Sequence, residues 1–340
     1  MAANACLVTG GAGYIGSHVV LALRESGFRP VVLDDLSTGA GFLVPDGIAF
    51  HRGDVGDTDL IARVIRDERI DSVVHLAART IVSDSIEQPV EYYRTNTIKS
   101  LALIEACHAA GVDKLVFSST ASVYGMSASS PLDESSPLAP TNPYGRSKLM
   151  TEQMLRDLSG AYGLRGVVLR YFNVAGADAQ GRSGPIAEDA THLVTVAAQT
   201  ALGLRPYVPV YGDDYDTPDG TCIRDYIHVT DIARTHIEAL RYLNDGGGSE
   251  TFNCGYGRGY SVLEVIRTVE RIAGTTLDAR PAPRRAGDVA ELVANPSKLL
   301  RLTRWRPAHD DLDYIVRTAL DWLAGLNRYR AGKEAPFPPR

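Results

Sequence analysis

Near its N-terminus the chain carries a short apolar run, Cys6 to Thr9, followed by a glycine-rich turn and an apolar helical stretch through Leu23. Glycines at a strand-to-helix turn let the backbone bend tightly and approach a pyrophosphate, while the free N–H groups and the dipole of the helix start attract its charge. Ordinary tight turns are also rich in glycine, so it is the position between a strand and a helix that indicates phosphate binding here. We expect dinucleotide phosphates to bind at Gly10, Gly13, Tyr14, Ile15 and Gly16.

The first half of the chain alternates short β-branched runs with helical stretches, a pattern typical of parallel strands with helices on both faces. The runs are continuously apolar, as expected for strands covered on both sides. They are Cys6 to Thr9, Val31 to Leu33, Ser72 to Leu76, Leu115 to Phe117 and Val167 to Leu169.

The predicted fold is therefore α/β, a doubly wound parallel Rossmann-type sheet with a smaller C-terminal substrate-binding α/β domain. The length of 340 residues suits two domains. We place them at 1–175, which binds the cofactor, and 176–340, which binds the substrate. A segment near 225–250 is a candidate to return to the first domain, and the Pro- and Arg-rich tail from Arg330 to Arg340 is expected to fray.

An acid at the end of the second strand favours NAD as the dinucleotide. Asp34 lies about 20 residues beyond Gly16, where a carboxylate can accept hydrogen bonds from the adenosine ribose. Asp35 adds a second negative charge and no arginine is adjacent, so a 2′-phosphate would be repelled. We expect the adenine and nicotinamide sides to be lined by residues after the third and fourth strands, namely Asp54, Val55, Leu76, Ala77 and Ala78.

A tyrosine and a lysine are predicted to lie one turn apart at the start of a helix. Asn142 is the expected cap and Pro143 the first helical residue, which places Tyr144 and Lys148 on one face. Such a pair is common on protein surfaces. Here the run Phe117-Ser118-Ser119-Thr120 also ends a strand in hydroxyls, at the edge where open α/β sheets bind ligands.

Charge and composition argue against several other classes. The net charge of −6 is spread without basic blocks, which disfavours nucleic-acid and anionic-membrane surfaces. Neither a signal peptide nor a membrane span is apparent, so a cytoplasmic location is expected. The four cysteines are far apart and the eight histidines show no metal-ligand spacing, so neither a disulfide framework nor a metal site is predicted.

Over nearly its whole length the sequence resembles the UDP-glucose 4-epimerases of the extended short-chain dehydrogenase superfamily. The resemblance rests on the glycine turn and on four further segments, Ser118-Ser119-Thr120-Ala121-Ser122-Val123-Tyr124-Gly125, Pro143-Tyr144-Gly145-Arg146-Ser147-Lys148, Arg170-Tyr171-Phe172-Asn173 and Arg224-Asp225-Tyr226-Ile227-His228-Val229. It implies 4-epimerisation of UDP-hexoses with NAD and suggests a homodimer.

The resemblance also implies roles for individual residues. Tyr144 would be the base, Lys148 its electrostatic partner and a ligand of the nicotinamide ribose, and Thr120 the hydroxyl bonded to the sugar oxygen. Further cofactor contacts would come from Thr38, Asn96, Ser118 and Phe172. The UDP-sugar would be held by Asn173, His192, Leu193, Val208, Tyr211, Arg224, Arg285, Asp288 and Leu292.

The sequence departs from the family pattern at the sugar end. Many members carry a lysine where this chain has Arg79-Thr80-Ile81-Val82, and Thr120 replaces the usual serine. Leu292 falls where members restricted to plain hexoses carry a bulky tyrosine, which predicts room for a 2-acetamido group, although Leu292 could equally be core.

Related sugar-nucleotide dehydratases and decarboxylases need acids where this chain has Ala121 and Ser122, so these activities are disfavoured. Two readings remain beside the UDP-hexose epimerase. One is a 4-epimerase of UDP-pentoses or UDP-uronates, and the other is a non-catalytic dinucleotide-sensing protein, which would not need Thr120, Tyr144 and Lys148 together.

The proposed base must ionise near neutral pH. Free tyrosine has a pKa of about 10, and lowering it by ~3 units requires ~4 kcal/mol. A lysine ammonium at ~4 Å supplies about that much at an effective dielectric constant of ~20. The sequence therefore predicts that Lys148 lowers the pKa of Tyr144.

Overall fold

The computed structural model describes residues 4–126, 130–285 and 287–332. Most of the tail that was expected to fray lies outside the described residues. The strands are β1 (Ala5–Thr9), β2 (Arg29–Asp34), β3 (Ala49–Arg52), β4 (Ser72–His75), β5 (Lys114–Thr120), β6 (Arg165–Tyr171), β7 (Asn173–Ala175), β8 (Val208–Tyr211), β9 (Ile223–His228), β10 (Glu250–Cys254), β11 (Gly259–Ser261), β12 (Ala279–Ala282) and β13 (Glu291–Leu292).

The helices alternate with these strands through the first half of the chain. They are α1 (Tyr14–Glu25), α2 (Thr58–Asp67), α3 (Val82–Glu87), α4 (Pro89–Tyr93), α5 (Lys99–Ala109), α6 (Pro143–Tyr162), α7 (Leu193–Ala201), α8 (Val229–Asn244), α9 (Val262–Ala273), α10 (Ser297–Leu302) and α11 (Leu312–Arg330). A short π-helical turn, Arg94–Ile98, joins α4 to α5.

Seven parallel strands form the main sheet in the order β3-β2-β1-β4-β5-β6-β10. The chain builds outward from β1 to β3 and then crosses to the other side of β1 to add β4. This reversal of direction opens a crevice at the carboxyl ends of β1 and β4, where such sheets bind ligands. One apolar core includes residues of α1 and α8 and another includes residues of α2 and α5, so the predicted doubly wound sheet is confirmed.

The segment near 225–250 is divided between the two parts of the molecule. Its first residues belong to β9, which lies in a small separate sheet. The following helix α8 packs on α1, and β10 then pairs with β6 at the edge of the main sheet.

The second half of the chain holds two small sheets that the sequence analysis did not predict. In one, β9 pairs with β7, β11 and β13, and in the other β8 pairs with β12. Helices α7, α9 and α11 pack on one another and share an apolar core with these strands. These strands have only two to six residues, too few to show a clear alternation in the sequence.

The predicted start of α6 is confirmed by its cap. The Asn142 side chain accepts a hydrogen bond from the Gly145 N–H at 2.8 Å, and Pro143 is the first residue of α6. Ser261 caps α9 through a reciprocal pair of bonds with Glu264.

All four cysteines are buried and free. Within the described ranges, no group of three metal-ligating side chains is placed to hold an ion. No helix in the described part of the chain has the length and apolar character needed to cross a membrane.

Candidate active site

The glycine turn forms a close-packed cradle at the carboxyl end of β1. Gly10 has a φ of +72°, and a Cβ there would lie 2.7 Å from the Ala77 nitrogen. A Cβ on Gly16 would lie only 2.0 Å from the Gly10 oxygen. Side chains at these positions would push the turn away from β4, so glycine is required. The first N–H groups of α1 follow Gly13, which offers no capping side chain, so they can face a phosphate.

Asp34 supports this turn from the end of β2. Its Oδ2 accepts from the Ala12 N–H at 2.9 Å and its Oδ1 from the Leu36 N–H at 2.8 Å. Burial raises the pKa of this carboxyl, while the two backbone hydrogen bonds oppose the shift. Each carboxylate oxygen keeps a second lone pair. The cradle and the remaining acceptors of Asp34 therefore fit the diphosphate and ribose of NAD.

The predicted adenine side contains an ion pair that the sequence did not indicate. Asp54 accepts from the Gly56 N–H at 2.7 Å and forms a salt bridge with Lys99 at the start of α5. Val55 is buried beside this pair in the core of that face. No local spacing connects Lys99 with Asp54, so only the packing of α5 against α2 reveals the contact.

Asn96 uses its side chain mainly within the protein. Its oxygen accepts from the Arg79 N–H at 2.8 Å, and its amide group donates to the Arg79 oxygen at 3.0 Å and to Ser147 Oγ at 3.1 Å. Both amide hydrogens are therefore taken, and a cofactor contact would have to come through the oxygen. Its evident role is to fix the loop after β4 against α6.

The other predicted cofactor residues differ in exposure. Asp35 and Thr38 are exposed after β2, whereas Leu76, Ala77 and Ala78 are half-buried after β4. The Tyr14 hydroxyl donates to the Gly176 oxygen at 2.6 Å, which leaves the backbone of Tyr14 and Ile15 for a phosphate. Phe172 is buried at the end of β6.

Three predicted catalytic side chains meet where β5 ends against the start of α6. Thr120 is the last residue of β5, and its hydroxyl lies close enough to the Tyr144 phenol to lower the pKa of that group. Lys148 is one turn further along α6, is 2 % exposed, and donates from Nζ to the Ser118 oxygen at 2.8 Å. The same ammonium lies 4.8 Å from the centre of the Phe117 ring.

The electrostatics of these groups bear on one expectation. Burial raises the pKa of the Tyr144 phenol to about 12, and the hydrogen bond from Thr120 opposes this only in part. Burial also lowers the pKa of Lys148 to about 7, against the favourable charge of Glu152. In the free protein, desolvation outweighs any lowering of the Tyr144 pKa by Lys148, whose ammonium is bonded to Ser118. The predicted lowering concerns the complex with NAD and stays a prediction.

A buried ionic network lies directly behind the catalytic side chains. Glu152, one turn after Lys148, forms a salt bridge with Arg170 of β6 at 2.6 Å, and their side chains are 1 % and 2 % exposed. Ser119 donates to the same carboxylate. Arg170 also donates to the Tyr124 hydroxyl at 2.9 Å. The network ties β5, β6 and α6 together beside the reacting groups.

The predicted UDP-binding residues cluster on the two small sheets. The Arg285 guanidinium lies 3.8 Å from the centre of the Tyr211 ring and interacts electrostatically with His192. Arg224 of β9 approaches Asp288 at 3.4 Å and donates to the Val289 oxygen at 2.8 Å. Two arginines and an aromatic ring thus lie close together, a combination that suits a phosphate and a flat base.

The remaining predicted substrate residues surround this cluster. Asn173 belongs to β7, which pairs with β9, and Leu193 begins α7, which packs on β8. Alternation along β8 places the fully buried side chain of Val208 in the core and leaves Tyr211 on the open side, so a substrate contact of Val208 would have to come through its backbone.

Leu292 pairs with Arg224 across β13 and β9 and is half-buried. It packs on an apolar cluster that contains Ala121, Val123 and Phe172, immediately beyond Thr120. Leu292 therefore lies between the arginine cluster and the catalytic strand end.

Comparison with known proteins agrees with this geometry. Residues 6–255 match the family model described as the NAD dependent epimerase/dehydratase family. A UDP-glucose 4-epimerase of Azospirillum brasilense is 54% identical over 330 residues, covering 97% of this chain and 95% of the relative.

Two solved structures show the same fold. The crystal structure of a UDP-glucose 4-epimerase from Brucella ovis in complex with NAD superimposes with a TM-score of 0.91 at 42% identity, covering 94% of this chain and 98% of that one. A UDP-Glc/GlcNAc 4-epimerase from Campylobacter jejuni gives a TM-score of 0.84 at 44% identity over 95% and 99% of the two chains. The chain thus belongs to the NAD-dependent epimerase/dehydratase family and, within it, to the UDP-glucose 4-epimerases.

Proposed function

We propose that this protein inverts the configuration at carbon 4 of UDP-hexoses, interconverting UDP-glucose and UDP-galactose with one tightly held NAD. The observation that carries this proposal is the convergence of Thr120, Tyr144 and Lys148 beside the glycine cradle. Family membership supports the cofactor and the reaction class.

In the proposed reaction Tyr144, as phenolate, takes the proton of the sugar 4-hydroxyl, and Thr120 donates a hydrogen bond to the same oxygen. NAD held by the glycine cradle and Asp34 would supply the hydride acceptor and donor for carbon 4, so that a 4-keto sugar could be reduced again on its opposite face. Tyr144 then gives the proton back, so the reaction has no net redox change. Lys148 holds its ammonium at the Ser118 oxygen, from where it can bond the nicotinamide ribose.

We assign the UDP part of the substrate to the cluster on the small sheets. The guanidinium groups of Arg224 and Arg285 supply positive charge for the diphosphate, and Asp288 orients Arg224. This assignment places the cofactor on residues 1–175 and the UDP-sugar on residues 176–340, with α8 and β10 belonging structurally to the cofactor part.

We also propose that the pocket accepts 2-acetamido sugars. Leu292 packs against the cluster next to Thr120 and lacks the ring and hydroxyl of tyrosine, which leaves space at that wall. The relative from Campylobacter jejuni that acts on both glucose and N-acetylglucosamine nucleotides supports this proposal.

We propose a homodimer that covers the exposed apolar residues of α3 to α6. Ile86, Val90, Ile98 and Met150 are 52%, 63%, 62% and 42% exposed, and their helices pack together. Exposed apolar patches of this kind mark interaction sites. Sedimentation of a Val90→Lys variant tests this proposal, because a stable dimer in that variant would refute it.

The four free thiols suit a reducing compartment such as the cytoplasm, which cell fractionation would test.

The test of the reaction combines cofactor content with a mutation. NAD should copurify at about one per chain, and NMR of the products should show conversion of UDP-glucose to UDP-galactose without added NAD. Tyr144→Phe should keep the bound NAD and lose ~10² to 10⁴-fold in kcat, the usual contribution of a positioned acid–base group. Turnover of Tyr144→Phe at the parental rate would show that another group is the base.

A further inference from the structure

Arg79 lies in the loop that follows β4, and the proposed reaction gives it no role. Its backbone N–H and oxygen are both held by Asn96. Its guanidinium carbon lies 5.7 Å from the centre of the Tyr92 ring. Arg79 is therefore fixed in place and directed at Tyr92.

Tyr92 joins this loop to the proposed base. Its side chain is 1 % exposed, and its hydroxyl donates to the Ile81 oxygen at 2.5 Å. Its ring meets the ring of Tyr144 at 85°, with 6.4 Å between the ring centres. The helix that carries Tyr92, α4, also packs on α6, which carries Tyr144.

The Thr120 hydroxyl acts on the Tyr144 phenol only at the tip of the side chain, and an interaction there leaves the ring free to tilt about that point. The edge-to-face contact with Tyr92 restricts this tilt, because the partner ring is buried and anchored at its own hydroxyl.

We propose that Tyr92 is a positioning residue, which sets the ring of Tyr144 against the substrate and couples it to the loop that carries Arg79. The inference rests on the proposed function, in which Tyr144 must reach the 4-hydroxyl. A misplacement of about 1 Å at a reacting group can cost about 10²-fold in rate. Tyr92 also raises the pKa of the Tyr144 phenol electrostatically, so its loss changes the titration of Tyr144 as well as its position.

The first experiment compares Tyr92→Leu with the adjacent control Tyr93→Leu, a half-buried tyrosine on the same short helix. Turnover is measured per bound NAD, which removes the effect of any unfolded fraction. Tyr92→Leu should lower kcat by ~10-fold or more and change KM by less than ~3-fold, because the base is displaced while the UDP site is intact. Tyr92→Phe should recover most of this kcat, because the ring remains.

The second measurement is the pH profile of kcat. Tyr92→Ala admits water beside the phenol and reduces its desolvation, so the rise of kcat with pH should move to lower pH. A role limited to stability would lower the melting temperature of Tyr92→Ala without moving this profile. An unmoved profile would overturn the proposal.

The coupling through Tyr92 is tested by Arg79→Ala in two backgrounds. If Arg79 acts through Tyr92, its replacement lowers kcat in the parent and has little further effect in Tyr92→Leu. An equal decrease in kcat on Arg79→Ala in the parent and in Tyr92→Leu would show that Arg79 does not act through Tyr92. Equal kcat for Tyr92→Leu and Tyr93→Leu in an active parent would overturn the positioning role, whereas an inactive parent would instead refute the proposed function.

Discussion

Replacement of Glu152 by glutamine should be among the most destabilising single changes near the active site. The carboxylate of Glu152 receives Arg170 through Nε at 3.1 and 3.2 Å and through a second nitrogen at 2.6 Å, and it receives the hydroxyl of Ser119. The side chains of Arg170 and Glu152 are 2 % and 1 % exposed, respectively. Glu152→Gln leaves the Arg170 charge without its counterion, and removal of one partner of a buried pair costs ~3 to 5 kcal/mol.

The chain offers a matched control at the surface. Arg29 and Glu68 also form an arginine–glutamate bridge at 2.8 Å, but their side chains are 41% and 23% exposed. Because water screens such a pair, Glu68→Gln should cost only ~0 to 1 kcal/mol. Both variants replace a glutamate by glutamine, so the difference between their losses of stability reports the effect of burial.

The assay is urea unfolding of both variants and the parent at one NAD concentration, with the Kd for NAD measured for each protein so that the ligand stabilisation, RT ln(1 + [NAD]/Kd), can be subtracted. At equal m values, the shift in midpoint gives the change in the free energy of unfolding. A double variant, Glu152→Leu with Arg170→Met, should recover much of the loss, because neither charge is then left buried alone. Equal losses for Glu152→Gln and Glu68→Gln would refute this account of the network.

Two further predictions concern the sugar wall and the buried lysine. Leu292→Tyr should lose activity on UDP-N-acetylglucosamine while keeping UDP-glucose activity, measured side by side by NMR; an equal loss on both sugars would exclude Leu292 as the gate. In cofactor-free protein, the folded pKa of Lys148 is about 7 against 10.5 unfolded, so between these values the unfolded chain binds the extra proton and stability rises with pH. The free energy of unfolding of the parent, relative to Lys148→Met, should therefore rise by about 1.4 kcal/mol per pH unit across that window, and a constant difference would contradict it.

The sequence predicted best those features that neighbouring residues encode. The glycine turn needs residues without a Cβ at fixed positions, and the cap of α6 needs Asn142 and Pro143 in succession. Tyr144 and Lys148 come together because they are one turn apart on that helix. Each of these features depends on a few consecutive positions, so it can be recognised before the fold is known.

Contacts between distant segments could not be predicted in this way. Arg170 of β6 forms a salt bridge with Glu152 of α6, and Lys99 of α5 forms one with Asp54, which precedes α2. The burial of the Val208 side chain could not be predicted for a different reason, since a four-residue strand gives too short an alternation to decide which face is buried. Tertiary packing determines both salt bridges and the burial of Val208, and a local sequence pattern does not reveal that packing.

The pKa values of the cleft residues show why Tyr144 is not ionised near neutral pH in the cofactor-free chain. Lowering the pKa of Tyr144 from about 12 to about 7 requires about 7 kcal/mol of differential stabilisation. Thr120 supplies only part of this, and the ammonium of Lys148, itself close to losing its proton in the buried site, is directed at Ser118. The missing positive charge must enter the cleft with the ligands, and the oxidised nicotinamide ring is cationic. A phenol that ionises only when that charge is in place would stay protonated in the cofactor-free chain, and bound NAD would supply part of the stabilisation that Thr120 and Lys148 do not.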